Sequence, residues 1–451
     1  INTDAIDNAG GVAMSDREVN IKMLLQPLVR TGELSEVQRN RLLKAMTGDV
    51  SRLVLHDVSR QALALSLAER RSRADLGVFD SLIQYLTFRG MDAQVEQLPN
   101  QRALAERAKA GEGLTRPELA IVMAYVKMGI YRRLLETEVP NDPALRHYLV
   151  HYFPGELNER FADAVRRHPL HSEIAATQMT NLAVDLLGMT FVHRMIRDTG
   201  ASPAEIIRAG LIAFEVIDAE ALLERMNALP VSVPADTVYR ALDAQVEAIG
   251  GLVRWMLLND LSGEDVGAFV DAYRGPLAAI RRDLADLLPG AEKRRYLKLV
   301  KAFQSGGFVG ELAHEVATFT YVPSSLGVIE VTRRTGVELD AVAKHFFHVG
   351  ERLGLGWLRD ELTALPPSGR WATIAVGGLI MDLRQVQQAI TERFLRARAS
   401  EPKLSLQAFL ERSPNVLRRF DEAYAELHES GAVDLASGSV LARLLEQVRA
   451  G

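Results

Sequence analysis

Residues 173–195 read EIAATQMTNLAVDLLGMTFVHRM, and in this stretch Met179, Leu182, Leu186, Met189, Val192 and Met195 recur at steps of three and four. An α-helix turns once in 3.6 residues, so this spacing gathers the apolar side chains on one face and predicts a helix buried along it. Val238, Leu242, Val246, Ile249, Val253 and Met256 repeat the pattern. Helix starts are legible as well, because Ser or Thr followed three residues later by Glu can satisfy two orphan amides reciprocally. Ser15 with Glu18, Thr115 with Glu118 and Ser202 with Glu205 have this form, and Pro117 and Pro203 fall where a missing amide hydrogen costs little.

Strand signals are scarce. The best, Gly327 to Thr332 in LGVIEVTRR, suits a helical turn equally well. The chain from about Ser35 onward is therefore expected to be all-α. Two breaks interrupt it, LPVSVPADT at Leu229–Thr237 and LPPSGR at Leu365–Arg370. The first divides the helical region into parts spanning 35–230 and 231–451.

The composition is that of an ordinary globular protein: 451 residues, 48% hydrophobic and 25% charged, enough for more than one core. With 53 basic against 58 acidic residues the formal charge is −5, which gives no electrostatic reason to expect nucleic acid or an anionic membrane as partner. The apolar run from Ala372 to Met381 is well short of the roughly 20 residues of a membrane-spanning helix. There is no cysteine, which removes disulfides and thiolate chemistry and is compatible with a cytoplasmic setting. The chain opens on INTDAIDN without an initiator Met, and reads as cut from something longer.

Several patterns imitate functional motifs. His147 and His151, His168 and His171, and His345 and His348 pair at metal-ligand spacing, but none has a third ligand nearby, so no metal site is assigned. His314-Glu315 starts a metalloprotease pattern that fails at Thr318. The glycines of SGGFVG, Ser305–Gly310, lack the Lys-Ser or Lys-Thr of a phosphate loop and read as an interhelical turn. Lys293, Arg294, Arg295, Lys298 and Lys301 form a basic stripe without interleaved aromatics, read as a solvated helix face.

The segment with chemical content is DNAGGVAMSDREVN, Asp7 to Asn20. Two glycines after an asparagine predict a tight loop, with Ser15 capping a helix that runs through Val19, Ile21, Leu24 and Leu25. A helix start of this kind suits an anionic ligand, although a plain loop-to-helix junction has the same form.

Asn8-Ala9-Gly10-Gly11-Val12, with Ser15 and Glu18, resembles the NAGGVTVSYFE signature near the end of the nucleotide-binding domain of hexameric glutamate dehydrogenases. The continuation to Lys22, with Ile1 to Asp4 before it, is closer to the large NAD-specific subclass. GLTRPELAIVMAYVKMGIY, Gly113–Tyr131, and the stretch 173–195 resemble the same family. Ala13, Met14, Asp16 and Arg17 depart from the Thr, Val, Tyr and Phe of the small-enzyme motif.

The resemblance implies a multi-helix C-terminal region preceded, over residues 1–34, by the last edge of an α/β catalytic domain. It implies a part in glutamate catabolism: hydride passes from L-glutamate to NAD, giving 2-oxoglutarate, in a homo-oligomer. It places Asn8 near the nicotinamide ribose, Val12 beside the glutamate side chain, and Ser15 as donor to the side-chain carboxylate. The catalytic lysine and aspartate and most of the NAD site would lie upstream of Ile1, in the remainder of the same polypeptide, so no catalytic residue is assigned here and the isolated chain is expected to be inactive. A non-enzymatic helical scaffold or oligomerisation module remains the alternative from the residues alone, with a metal-binding helical protein behind it.

Overall fold

The helical periodicities are realised in helices, with one interruption at Gly188. The computed structural model describes residues 2–365, 370–431 and 433–450, and no strand occurs among them. Of the second break, residues 366–369 lie outside the described residues. The chain divides into two compact units. One is Ile1–Ile212 with Met256–Ala268, the other Ala213–Trp255 with Phe269–Gly451. The Leu229–Thr237 break lies within the second unit, joining the helices Ala219–Asn227 and Ala235–Leu258.

In the first unit, α1 (Asp4–Asp7) and α2 (Ala9–Arg30) lead into α3 (Thr47–Ala74), along which α2 packs. Then come α4 (Arg116–Leu135), α5 (His147–Tyr152) and α6 (His171–Leu182). The start of α4 is capped as expected: Thr115 and Glu118 exchange hydrogen bonds, with the Thr115 amide donating to Glu118 at 2.7 Å. Ser202 and Glu205 do the same before the helix Pro203–Ile217.

The stretch 173–195 is not one continuous helix. After α6 it widens into a π turn at Ala183–Leu187, breaks at Gly188 and resumes as Phe191–Thr199. Gly188 has φ +94°, and a Cβ there would stand 2.5 Å from Arg71 Nη1, so only glycine fits. Met179, Leu182, Leu186, Met189 and Met195 are nonetheless buried. The π turn buries Asp185, whose Oδ1 lies 2.7 Å from Lys127 Nζ on α4. Burial raises the Asp185 pKa and Lys127 only partly offsets this.

In the second unit, which holds α7 (Ala235–Leu258) as far as Trp255, that helix buries Leu242, Val246, Ile249 and Val253 as its spacing requires. It is followed by α8 (Gly290–Ser305), α9 (Val322–Thr335), α10 (Leu355–Ala364), α11 (Arg370–Ser400) and α12 (Leu435–Ala450). Leu355, Leu383, Ile390, Phe420, Leu441 and Leu445 belong to one core in which α11 and α12 pack together. Each such residue contributes about 1.5–3 kcal/mol by leaving water. Gly327–Thr332 is helical, inside α9, and SGGFVG is the turn after α8, where Gly307 has φ +96°.

Candidate functional site

The three residues picked out by sequence lie on α2, but not as a loop and cap. Asn8 precedes the first residue of α2, and its carbonyl accepts from the Gly11 and Val12 amides at 3.1 and 3.3 Å. The first turn therefore closes at Asn8, Gly10 and Gly11 are helical, and Ser15 stands seven residues further along. This corrects the expected tight loop and Ser15 cap: a residue with helical backbone inside a helix cannot reach the orphan amides of its start. Glu18, the expected reciprocal partner, pairs instead with Lys22 at 2.5 Å, one turn on.

At about 100° per residue, Asn8, Val12 and Ser15 fall on one side of α2, with Val19 continuing the line. All four are exposed, Val12 by 64% and Val19 by 53%. The structure thus brings the three expected site residues onto one open face, with Asn8 and Ser15 roughly 10 Å apart at 1.5 Å rise per residue.

The opposite side carries Arg17, Asn20, Ile21 and Leu24, all buried. Arg17 Nη2 donates to Asp57 Oδ2 of α3 at 2.8 Å, its Nε to the Tyr152 carbonyl at 3.3 Å, and its guanidinium lies 4.7 Å from the centre of the Tyr152 ring. The Tyr152 hydroxyl donates to Asp16 Oδ2 at 2.6 Å and accepts from Asn20 Nδ2 at 2.8 Å. His168 Nε2 donates to the Asn20 carbonyl at 3.0 Å, while its Nδ1 accepts from the Leu170 amide at 3.0 Å. That pair of bonds requires the neutral ring protonated on Nε2.

Electrostatics follow this arrangement. Burial would raise the Asp57 carboxyl, but the His56 side chain and the Arg17 guanidinium outweigh it and hold its pKa below the ordinary value. Burial, then the bond to Asp16, raise the Tyr152 phenol, so it stays protonated and able to donate. Burial lowers His168, more than the Asn20 carbonyl offsets. The segment is also tied at its start: Arg116 donates to Asn2 Oδ1 at 2.9 Å and to Ser66 Oγ at 3.0 Å.

Residues 111–447, most of the chain, match the family model described as "Glutamate dehydrogenase, C-terminal". The chain belongs to this glutamate dehydrogenase family. Residues 1–68 match a second model, "Bacterial NAD-glutamate dehydrogenase, catalytic domain", so α1, α2 and much of α3 carry that likeness. The NAD-specific glutamate dehydrogenase of Pseudomonas aeruginosa is 35% identical over 447 residues, covering 98% of this chain and 28% of that protein. Those of Halomonas elongata and Mycobacterium tuberculosis are 36% and 31% identical, over 88% and 99% of this chain and 24% and 28% of their own lengths. The chain thus spans about a quarter of the length of these relatives.

Two of the positions that depart from the small-enzyme motif, Asp16 and Arg17, are the ones bonded to Tyr152 and Asp57. Sequence reading missed Arg17, Asn20, Asp57, Tyr152 and His168. The available signal was a polar pair, Arg17 and Asn20, in register with Ile21 and Leu24 on the apolar side of the helix. Two of the histidine pairs are used for hydrogen bonding: His171 Nδ1 donates to the His168 carbonyl at 3.0 Å, His348 Nδ1 to the Lys344 carbonyl at 2.7 Å, and His345 Nε2 accepts from Arg398 at 2.7 Å. Among the described residues no three His, Asp or Glu side chains gather as a metal site would need, and no helix is long and apolar enough to cross a membrane.

Proposed function

We propose that this chain is the C-terminal part of an NAD-dependent glutamate dehydrogenase, converting L-glutamate, NAD and water to 2-oxoglutarate, ammonium, NADH and a proton. Residues 1–34 form the edge of the catalytic domain, and the helices from residue 35 onward are structural and regulatory support for it. The observation that carries this reading is the two-sided character of α2: one face bonded to Asp57, Tyr152 and His168, the other holding Asn8, Val12 and Ser15 open. An exposed line of an amide, a hydroxyl and two valines, followed one turn on by the charged Lys22, suits a small amphipathic ligand.

In this reading Ser15 Oγ donates a hydrogen bond to the glutamate side-chain carboxylate and Val12 lies against its methylenes. NAD supplies the hydride acceptor and is held mainly by residues outside this chain. Asn8 fits its nicotinamide-ribose end, because its side chain makes no capping bond to α2. The supporting helices act by fixing the direction of α2 through the Arg17 and Tyr152 contacts. The whole enzyme is a cytoplasmic homo-oligomer in this reading, with neither nucleic acid nor membrane as partner; the formal charge of −5 on this chain offers no attraction to a polyanion.

The test is glutamate-dependent NADH formation by the 451-residue chain and by the same chain extended through the rest of the catalytic domain. Activity is expected only in the extended protein. NADH formation by the chain alone, or a folded and inactive extension, would sink the proposal.

A further inference from the structure

Within the second unit, a cleft of about 650 Å³ opens where α7, α8, α9, α10 and α11 converge. Its volume is in the range of small-ligand sites. Four guanidinium groups line it, Arg254, Arg295, Arg359 and Arg384, against three carboxylates, Glu247, Glu292 and Asp360.

The pairing is uneven. Arg295 alone takes two of the carboxylates, with Nη1 donating to Glu292 at 2.9 Å and Nε 3.0 Å from Asp360 Oδ2. Glu247, the third, is exposed. Arg359 donates to a neutral acceptor, Gln387 Oε1, at 3.0 Å, and Gln387 is itself fixed by donating to the Phe346 carbonyl at 2.9 Å. Arg384 has no acceptor among the described residues, and its Nε is sealed from solvent without a partner. Burial first, and then the neighbouring charges of Arg359 and Arg254, push the Arg384 pKa down to about 9, so it remains charged at neutral pH.

A buried guanidinium without an acceptor is costly, and the neighbouring positive charge raises that cost. The wall is nonetheless shaped to keep charged groups close. A Cβ on Gly356 would come 1.7 Å from Glu292 Oε1 and 2.3 Å from Arg295 Nη1, so only glycine at that point of α10 lets the ion pair line the cleft. A planar guanidinium with unspent donors matches the two oxygens of a carboxylate or a phosphate. We propose that this cleft is a binding site for a small oxyanion, with Arg384 and Arg359 as its principal donors. The site lies wholly in the second unit and does not depend on the catalytic reading of α2.

The test is equilibrium binding of inorganic phosphate and, separately, of succinate to the 451-residue chain at low ionic strength. One of the two is expected to bind saturably, once per chain. Tighter binding of phosphate identifies a phosphorylated ligand, and tighter binding of succinate a carboxylate. Arg384→Gln should weaken that binding at least tenfold and Arg384→Lys less, while Arg132→Gln, at a cavity of the first unit, leaves it unchanged. Failure of both anions to bind the unmodified chain overturns the proposal without any variant. So does undiminished binding in a folded Arg384→Gln or Arg359→Gln protein.

Discussion

Arg17 and Arg384 are both guanidiniums drawn out of bulk water, and they differ in what surrounds them. Arg17 has a carboxylate, a carbonyl and an aromatic face as partners. Among the described residues Arg384 has none of these, and two other arginines lie near it. A charge whose donors are satisfied inside the chain ties elements together, whereas one left unsatisfied beside a cleft holds binding capacity for something outside the chain. Through the Tyr152 carbonyl and ring, the first accounts for how the segment resembling a catalytic domain is joined to the helices after it, the second for the proposed oxyanion site.

The difference is sharpest in stability. Arg17→Ala leaves Asp57 and the Tyr152 carbonyl without their partner in a buried setting, and should cost about 3 kcal/mol in urea unfolding. A loss under about 1 kcal/mol would mean that Arg17 is a spectator. Arg384→Met removes an unpaired charge and should act in the opposite direction, raising the melting temperature by roughly 2–4 °C in anion-free buffer. Because the Arg384 pKa is lowered, the penalty from its charge is fully present below about 9 and shrinks as pH rises from there toward the unfolded value. The gain from Arg384→Met should therefore be full at pH 7.

A smaller effect is expected from His168. Its pKa is lowered in the fold, so its contribution is fully present above about pH 6.5, the unfolded value, and is lost as pH falls below that toward the folded value. Protonating Nδ1 breaks the bond from the Leu170 amide. Stability should thus fall between pH 7 and 5, by at most about 1.4 kcal/mol for each unit of pKa difference. The fall should be absent in His168→Gln. An equal fall in the variant would place the titration elsewhere.

These contrasts also mark how far the chain can be read without its structure. Helix spacing and the caps at Thr115 and Ser202 depend on residues a turn apart, and those readings hold in the fold. The same Ser-x-x-Glu pattern at Ser15 lies inside a helix, because an earlier turn closed on the Asn8 carbonyl and Glu18 had Lys22 within reach. The stripe from Lys293 to Lys301 is largely solvated, as its pattern suggests, but the half-buried Arg295 also pairs with Asp360, 65 positions later. Arg17 likewise meets Tyr152 across 135 positions. Pairings of that length leave no local periodicity to detect. Asn8, Val12 and Ser15 came from resemblance, and the fold places them on a common exposed face.

That common face is the central claim, and Ser15 tests it most directly. Glutamate kinetics of the extended enzyme should be compared between the native sequence and Ser15→Ala, together with unfolding of the 451-residue chain carrying the same change. The account predicts a raised glutamate KM with stability altered by no more than about 0.5 kcal/mol, since Ser15 is exposed in mid-helix. An unchanged KM in an active enzyme would contradict it.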